Sequence, residues 1–441
     1  MSHFTPYWLD DCLIYQIHTG RWDIPGATNN GWHALQKLDW QQIKQLGFKA
    51  VYLLGAWDTT GNIYVQSEEG VDLSQHHQRT PSMFAITDHT KLRPELGSLS
   101  DFQNFLDTLH QIDLKVILDY VPNHTGLHNQ WIVDHPEYYY WENNDLVKEF
   151  SGDVAKLNYQ NPQLRQAMLD VLDHIVQLGV DAVRCDMAHL IPLEFWQQAS
   201  QQCKTDKPDF VFIAEAYAEN IFDYSPHNQL LQHGFDAIYD AGYYKNINQV
   251  IIDHAPLTHL AQHLNAIPRV VDGLTVNYLG NHDDPPLQNR TNDPEISQTF
   301  QIYFEALLAI TLFGSKNIKL FYNGTLHGQA SRLAHHWQDM LPAANNELIT
   351  PIDANTQTWF RYFQAVSHLR DTDQQIHAEY DRQLFTINIP LIDGQALVIA
   401  NCLQSDIVID SPKYNLPGLI HHYKIGDSIL PGTAELYINH D

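Results

Sequence analysis

Residues 115–124 of the chain, KVILDYVPNH, place an apolar, β-branched run directly before a group of polar side chains. The same arrangement recurs at residues 180–189, VDAVRCDMAH, and at residues 210–217, FVFIAEAY. Short runs of this kind predict buried β-strands. Because segments of helical periodicity separate them, the strands are expected to run parallel, with their polar ends at one edge of the sheet.

Eight strand candidates of this type precede residue 370, and helical patterns separate them. The strand candidates are Leu13–His18, Ala50–Leu54, Lys115–Val121, Asp181–Met187, Phe210–Ala216, Phe235–Tyr239, Leu274–Leu279 and Ile318–Tyr322. The helix candidates include Leu99–Ile112, Pro162–Leu178, Leu193–Gln202, Ile247–Asn265, Ser297–Phe313 and Thr356–Leu369. Such alternation predicts an α/β fold, a (β/α)8 TIM barrel. A doubly wound open sheet is the alternative, but it usually has fewer strands, and no GxGxxG motif follows a strand here.

Two segments depart from the barrel pattern. Residues 125–158, after the third strand, are aromatic and polar without a clear period, which is typical of a functional insertion. Residues 371–441 contain short alternating runs with Pro and Gly between them, which predict a small antiparallel β domain. The predicted strands there are Gln383–Ile389, Ala396–Asn401, Asp406–Ile409 and Glu435–Ile438. The barrel itself is expected to comprise residues 1–124 and 159–370.

Composition excludes several classes of protein. The chain has 441 residues, and 52 acidic against 25 basic side chains give a formal charge of −27. Such a surface repels phosphate groups, so neither a nucleic-acid nor a membrane partner is expected. No apolar run approaches the roughly 18 residues that span a bilayer, and the N-terminal residues lack a secretory pattern. The four cysteines form no CxxC pair, which favours a reduced, cytoplasmic protein without a zinc site.

Three carboxylates stand at the predicted carboxyl ends of different strands, where the reactive groups of barrel enzymes lie. These are Asp186, Glu215 and Asp283, with Arg184 and His282 beside two of them. Each alone is explained equally well as a cap of the following helix. Together they suit glycosidic bond cleavage, which uses one carboxyl group to protonate the leaving oxygen and a second to attack or activate water.

The local sequence suggests how two of these carboxylates differ. Arg184 and Asp186 are two residues apart on a strand, so both face the same side, and the cation favours an ionised Asp186. Glu215 follows the apolar residues 211–214, whose burial is expected to raise its pKa and keep it protonated.

Four motifs, in order, carry a resemblance to a known family. DYVPNH (119–124), VDAVRCDMAH (180–189), FIAEAY (212–217) and LGNHDD (279–284) resemble the four motifs of the α-amylase family, glycoside hydrolase family thirteen. The resemblance extends from about Leu13 to Gly328. It implies a TIM barrel, an inserted domain B after the third strand and a C-terminal β domain.

The resemblance also implies roles for individual residues. Asp186 would be the nucleophile, Glu215 the general acid and then base, and Asp283 a ligand of the sugar hydroxyls. The implied substrate-binding residues are Arg184, His124, His282, Phe84 and His189. The implied mechanism is double displacement with retention, for which the carboxyl groups of Asp186 and Glu215 should lie ~5–5.5 Å apart.

Three departures from the family pattern affect the expectations. Phe84 stands where members commonly have Tyr, so its ring is kept but a hydroxyl is lost. His189 and Leu190 stand where Lys and His are frequent, which affects the leaving-group side of the cleft. Lys156 stands where many members have an acidic calcium ligand, so no cofactor is expected to be required. If calcium does bind, Asn123 is the candidate ligand.

The expected function is hydrolysis of α-1,4-glucosidic bonds in malto-oligosaccharides or α-glucans. One alternative is transglycosylation of the 4-α-glucanotransferase type, because a sugar hydroxyl can intercept the same covalent intermediate. An α-1,6-glucosidase is another. A catalytically silent glucan-binding protein is a fourth possibility, but such proteins normally lose a catalytic carboxylate, and this chain has all three.

Overall fold

Eight parallel strands form a closed barrel at the centre of the protein. The structure is a computed structural model that describes residues 6–19, 31–59, 63–64, 78–79, 82–150, 152–217, 225–266, 273–330, 352–371, 374–381, 384–403, 407–408 and 428–439. The barrel strands are β1 (Leu13–His18), β2 (Ala50–Leu54), β3 (Lys115–Tyr120), β4 (Ala182–Cys185), β5 (Val211–Ala214), β6 (Ala237–Tyr239), β7 (Leu274–Tyr278) and β8 (Ile318–Tyr322). Each pairs with its neighbours in sequence, and β8 pairs with β1. The predicted TIM barrel is therefore confirmed.

Side chains alternate between the inside of the barrel and the layer under the helices. Ile14 belongs to the apolar cluster inside the barrel, with Tyr52 and Ile117 from the next two strands. Leu13 and Tyr15, on either side of Ile14, belong to the cluster that packs against the helices. This two-sided burial explains why the barrel strands are apolar almost throughout.

Helices surround the barrel. They are Trp32–Leu35, Trp40–Gln45, Leu99–Gln111, Trp131–Asp134, Pro162–Gln177, Leu193–Asp206, Ser225–Gln232, Ala241–Ile251, Leu257–Ala266, Pro294–Phe313 and Ala354–Leu369. Helix Pro162–Gln177 illustrates their local logic: the Asn161 side chain caps it by accepting from the amides of Gln163 and Leu164. Proline at the first position has no amide hydrogen that would need a partner. The buried face of this helix packs against the barrel.

One helix prediction was wrong. The pattern Ile247–Asn265 predicted a single helix, whereas the structure has two, Ala241–Ile251 and Leu257–Ala266. His254 between them adopts a left-handed backbone with φ of 53°. Pro256 disfavours a helical conformation at Ala255, the residue before it. The local breakers thus outweigh the continuous apolar periodicity.

The segment after β3 folds into small antiparallel sheets. His124–Gly126, Lys148–Glu149 and Val154–Lys156 form one three-stranded sheet, and Trp141–Glu142 pairs with Asp145–Leu146. Gly126 fits closely against a neighbouring loop, because a Cβ atom there would lie 2.3 Å from the carbonyl oxygen of Ala85. The Gly126 amide also donates to the carbonyl of Ile86 at 2.8 Å, which links this segment to the loop containing Phe84. Two further strand pairs precede β3: Trp57–Asp58 with Asp88–Leu92, and Ile63–Tyr64 with Gln78–Arg79.

The C-terminal residues form an antiparallel sheet of His377–Asp381, Leu384–Leu391, Gly394–Ala400 and Ala434–Asn439, in that order. Between the last two of these strands in the sequence, Ile407–Val408 pairs with Ser428–Ile429 in a separate two-stranded sheet. The sheet includes a strand, His377–Asp381, that the sequence did not predict. Residue 383 and the ends of the predicted strand Asp406–Ile409 lie outside the described residues.

Helix Pro294–Phe313 connects β7 and β8. Within the part of the chain that the structure describes, it alone is long and apolar enough to cross a membrane by length and composition. More than half of its most apolar window is buried inside the protein. Its Ala306 amide donates to the carbonyl of Gly432, just before the last C-terminal strand. The helix therefore has the contacts of a core helix between the barrel and the C-terminal sheet.

Candidate active site

Arg184 is the centre of a buried charge cluster at the carboxyl end of the barrel. Its Nη1 donates to Asp119 Oδ1 at 3.1 Å and to Asp186 Oδ1 at 2.9 Å. Its Nη2 lies 2.5 Å from Glu215 Oε1. One guanidinium therefore contacts carboxylates from three strand ends. The contact with Asp186 confirms the prediction that these two residues face the same side of β4.

The backbone after β4 fixes Asp186 and the residue that follows it. The Asp186 amide donates to the carbonyl of Tyr120 on β3 at 2.9 Å. Met187 then adopts a left-handed conformation, with φ of 46° and ψ of 39°. This conformation is unfavourable for a non-glycine residue, but here it directs the Met187 amide to Glu215 Oε2 at 2.9 Å. The chain thereby ties the loop carrying Asp186 to the side chain of Glu215.

Glu215 is 2% exposed and accepts hydrogen bonds at both carboxyl oxygens. The Met187 amide donates to Oε2, and the Tyr217 hydroxyl donates to Oε1 at 3.0 Å, while Arg184 forms an ion pair with Oε1. Asp186 is 6% exposed, and its Oδ2 has no hydrogen-bond partner among the described residues. An unengaged carboxylate oxygen on Asp186 is what a nucleophile at this position requires.

Burial controls the protonation of this cluster. It raises the pKa of Glu215 to about 7, against the attraction of Arg184 and with help from the negative charges of Asp186 and Asp283. It raises the pKa of Asp186 to about 6, again opposed by Arg184. Both carboxyl groups therefore take up protons at higher pH than free carboxyl groups do, and they titrate as a coupled pair.

His282, Asp283 and Phe84 form the opposite wall of the site. His282 Nε2 lies 2.9 Å from Asp283 Oδ2, and His282 Nδ1 lies 2.9 Å from the amide nitrogen of Gln16 on β1. The Phe84 ring stacks on His282 with centroids 5.2 Å apart, and it lies 5.5 Å from the Arg184 guanidinium. Asn281 accepts from the Asp283 amide and so shapes the turn after β7. These contacts place the predicted residues of this wall beside the carboxylate cluster.

His124 and His189 lie at two further positions around the site. His124 is buried against the backbone of Phe84, and burial lowers its pKa to about 4, so the ring is neutral at pH 7. His189 lies beside the Glu215 backbone, with burial lowering its pKa too. Its ring meets that of Tyr217 edge to face, with centroids 6.1 Å apart.

The residues around Asn123 do not fit a calcium ion. The Asn123 amide nitrogen donates to Glu149 Oε2 at 2.7 Å, and Lys156 Nζ donates to Glu149 Oε1 at 2.6 Å. Both oxygens of Glu149 are thus engaged, and the Lys156 ammonium group supplies positive charge where an ion would need acidic ligands. The described residues contain no group of three or more His, Cys, Asp or Glu placed to hold a metal.

Sequence reasoning missed several residues of the site. Asp119 pairs with Arg184 and accepts from the Tyr52 hydroxyl at 2.6 Å, and burial raises its pKa to about 6. A carboxylate inside the apolar run KVILDY was the available signal, since such a residue is rarely buried without a partner. Gln16 is likewise a polar residue inside the apolar run of β1. Tyr217 gave no such signal, because a tyrosine after a strand is common.

The arrangement suits acid-assisted displacement at an acetal carbon. A protonated carboxyl group and an ionised one share a single cation, and both are withdrawn from bulk water. Asp283 and two histidines stand across from them, with an aromatic ring that can pack on a sugar face. The expected ~5–5.5 Å between the carboxyl groups of Asp186 and Glu215 stays a prediction.

A protein-family model and several known proteins match this chain. The family described as "Alpha amylase, catalytic domain" matches residues 34–146 and 136–375. A probable oligo-1,6-glucosidase 2 of Bacillus subtilis is 25% identical over 220 residues, covering 42% of this chain and 36% of the relative. The α-amylase MalA of Haloarcula japonica is 25% identical over 257 residues, covering 56% and 34%. The matched part therefore spans about a third of the length of these curated relatives.

Solved structures share the fold over nearly the whole chain. An α-amylase from Lactobacillus plantarum has a TM-score of 0.76 at 20% identity, covering 97% of this chain and 99% of the other. A maltogenic α-amylase, AmyB, from Thermotoga neapolitana has a TM-score of 0.75 at 20% identity, covering 98% and 96%. Four motifs at successive strand ends, the barrel that positions them and the family match over most of the chain agree with one another. The chain belongs to the α-amylase family of enzymes.

Proposed function

We propose that the protein is a retaining glycoside hydrolase that cleaves α-1,4-glucosidic bonds in malto-oligosaccharides or α-glucans. The observation that carries the proposal is the shared guanidinium of Arg184, which contacts Asp186 at 2.9 Å and Glu215 at 2.5 Å. This arrangement supports the role of nucleophile for Asp186, whose Oδ2 is unengaged, and the role of acid for Glu215 beside it.

In the first step, Asp186 Oδ2 attacks the anomeric carbon and forms a glycosyl ester. The bond to the leaving oxygen breaks, and Glu215 transfers its proton to that oxygen. In the second step, Glu215, now ionised, takes a proton from water. The water oxygen attacks the same carbon, the ester bond breaks, and Asp186 is released as a carboxylate. Two inversions give net retention.

The remaining residues suit binding of the sugar at the cleavage point. Asp283 is partly exposed and stands beside His282, so both can hydrogen-bond sugar hydroxyls. Phe84 offers an apolar ring face next to Arg184. Positive charge develops on the sugar in the transition state, and the nearby carboxylates stabilise it.

Transfer to a sugar hydroxyl and cleavage of α-1,6 bonds use the same residues, so products decide between them. A time course with maltoheptaose tests the proposal: only shorter saccharides support a hydrolase, and products longer than the substrate indicate a glucanotransferase. Release of glucose from isomaltose or panose, without action on maltoheptaose, would indicate an α-1,6-glucosidase. Proton NMR of the first product should show the α-anomer, since an initial β-anomer contradicts retention.

The variants Asp186→Asn and Glu215→Gln separate an enzyme from a silent binding protein. Removing either carboxyl group should lower kcat by at least about a thousandfold, because the nucleophile and the acid act on the reacting atoms. Asp170→Asn is the matched control, since Asp170 lies exposed on helix Pro162–Gln177. Unchanged turnover in the two site variants contradicts the proposed roles. Maltoheptaose binding without turnover by the wild-type protein would favour a silent binding protein.

We also propose a cytoplasmic location. All four cysteines are described, and each is buried and free of disulfide bonds. Unpaired thiols are typical of proteins in a reducing compartment. Cell fractionation with an antibody against the protein tests this assignment, and recovery from the culture medium contradicts it.

A further inference from the structure

Three groups contact the Glu215 carboxyl group: Arg184 as an ion pair, and the Met187 amide and the Tyr217 hydroxyl as hydrogen-bond donors. Arg184 Nη2 and the Tyr217 hydroxyl both reach Oε1, at 2.5 and 3.0 Å, and the Met187 amide reaches Oε2 at 2.9 Å. A guanidinium and an amide N–H can only donate hydrogen bonds. A phenolic hydroxyl can both donate and accept. Of the two contacts at Oε1, only the one with Tyr217 can therefore persist as a hydrogen bond when Oε1 is protonated, while the Met187 amide can still donate to Oε2.

This difference matters because the proposed reaction needs Glu215 in both protonation states. As a general acid it begins protonated, and as a general base it begins ionised. The positive charge of Arg184 favours the ionised form, whereas the Met187 amide can donate to Oε2 in either form. Tyr217 can donate to the carboxylate and, after rotation of its hydroxyl, accept from the carboxylic acid.

Tyr217 is also more exposed than the acid that it contacts. Its ring is 36% exposed, whereas Glu215 is 2% exposed. The ring meets His189 edge to face on the other side.

We propose that Tyr217 is a positioning residue that holds the Glu215 carboxyl group in both of its protonation states. This inference rests on the proposed function. A hydrogen bond to the ionised form is the stronger of the two, because it is charge-assisted. The tyrosine hydroxyl therefore lowers the pKa of Glu215 relative to a site that lacks it.

Other charged and titratable groups also act on Glu215. They are Arg184, Asp186 and His189 from β4 and the turn after it, Asp119 at β3, Tyr239 on β6, and Asp283 and Asp284 after β7. Tyr217→Phe removes one hydroxyl and leaves all of these in place. Any change in the titration of Glu215 in that variant can thus be assigned to the lost hydrogen bond.

The test is a pH titration of the Glu215 carboxylic acid band by infrared difference spectroscopy, with the band assigned by its loss in Glu215→Gln. In Tyr217→Phe the midpoint should rise by about one pH unit. Tyr243→Phe is the matched control: it also loses a buried hydroxyl contact, with Thr311 at 2.8 Å, in a helix outside the site. Its midpoint should equal that of the wild type.

Kinetics provide the second readout. For maltoheptaose, Tyr217→Phe should lower kcat about tenfold with a smaller change in KM, and the alkaline limb of kcat/KM should move to higher pH. An aryl maltoside with a good leaving group needs little proton donation, so its first step should be much less affected. An unmoved infrared midpoint in Tyr217→Phe overturns the inference. Absence of glucan turnover by the wild-type protein overturns the proposed function, which the infrared titration does not depend on.

Discussion

Replacement of Arg184 by Gln tests whether one guanidinium controls the protonation of the active site. Asp186 has a pKa of about 6 with the cation in place. An opposite charge at hydrogen-bond distance lowers a carboxyl pKa by roughly 1–3 units, so the neutral side chain should bring Asp186 to about 8. At pH 6 the ionised fraction then falls from about one half to about one hundredth, a loss of about fifty-fold in the reactive form.

The same change acts on Glu215, whose pKa of about 7 is also held down by Arg184. Both limbs of the pH profile should therefore move upward, and the optimum should shift by about two pH units to the alkaline side. The limbs report the coupled cluster rather than single residues, since three carboxylates share the cation. The prediction concerns the position of the whole profile.

The assay is kcat/KM for maltoheptaose from pH 5 to pH 10, in wild type, Arg184→Gln and Arg184→Lys. Arg184→Lys keeps a charge but loses the fork that reaches separate carboxylates, so its profile should lie between the other two. Circular dichroism at each pH checks that the variants are folded. A uniform drop in activity with both limbs unmoved refutes the reasoning, because it means that Arg184 does not set these pKa values.

Two further predictions concern stability and metal dependence. Burial alone would raise the pKa of Asp181, but hydrogen bonds from His110 and the Val116 amide, with the charge of Lys207, lower it to about 2. Asp181→Asn should therefore lower the free energy of unfolding by about 2 kcal/mol at pH 7, measured by urea denaturation. This difference from the wild type should shrink as pH falls from about 4 to about 2. A difference that persists at pH 2 contradicts the prediction. Because Lys156 already engages Glu149, EDTA should change neither Tm nor activity. Lys156→Ala should lower the free energy of unfolding by about 1 kcal/mol, measured in a thermal melt. A Tm that falls with EDTA and recovers with calcium contradicts the prediction that no calcium ion is needed here.

The barrel was predictable from the sequence because its strands leave a local signal. Both faces of a barrel strand are buried, so each strand is a continuous apolar run, and polar residues begin where it ends. The strand His377–Asp381 lacks that signal: its sequence HAEYD is largely polar, and it lies at the edge of the C-terminal sheet. Its pairing with Leu384–Leu391 comes from tertiary contact, which propensity does not report.

The candidate site was predictable in part for the same reason. Arg184 and Asp186 were linked correctly because a two-residue spacing on a strand determines the side that they face. The link between Arg184 and Asp119 depends on the register of β4 against β3, where these residues are direct partners. The left-handed Met187 had no sequence signal at all, since glycine is the residue normally expected in that conformation. Register and strained turns are properties of the folded chain.

The balance of charges around Arg184 explains why the buried carboxyl groups retain a proton. One cation, Arg184, faces three buried carboxylates, so full ionisation would leave two uncompensated negative charges away from water. Such a site lowers its energy by retaining a proton. Burial raises the pKa of all three carboxyl groups, so the coupled cluster retains a proton near neutral pH. In the proposed mechanism, the excess of carboxylates over cations supplies the proton that Glu215 donates, and the contact with Arg184 favours an ionised Asp186 beside it.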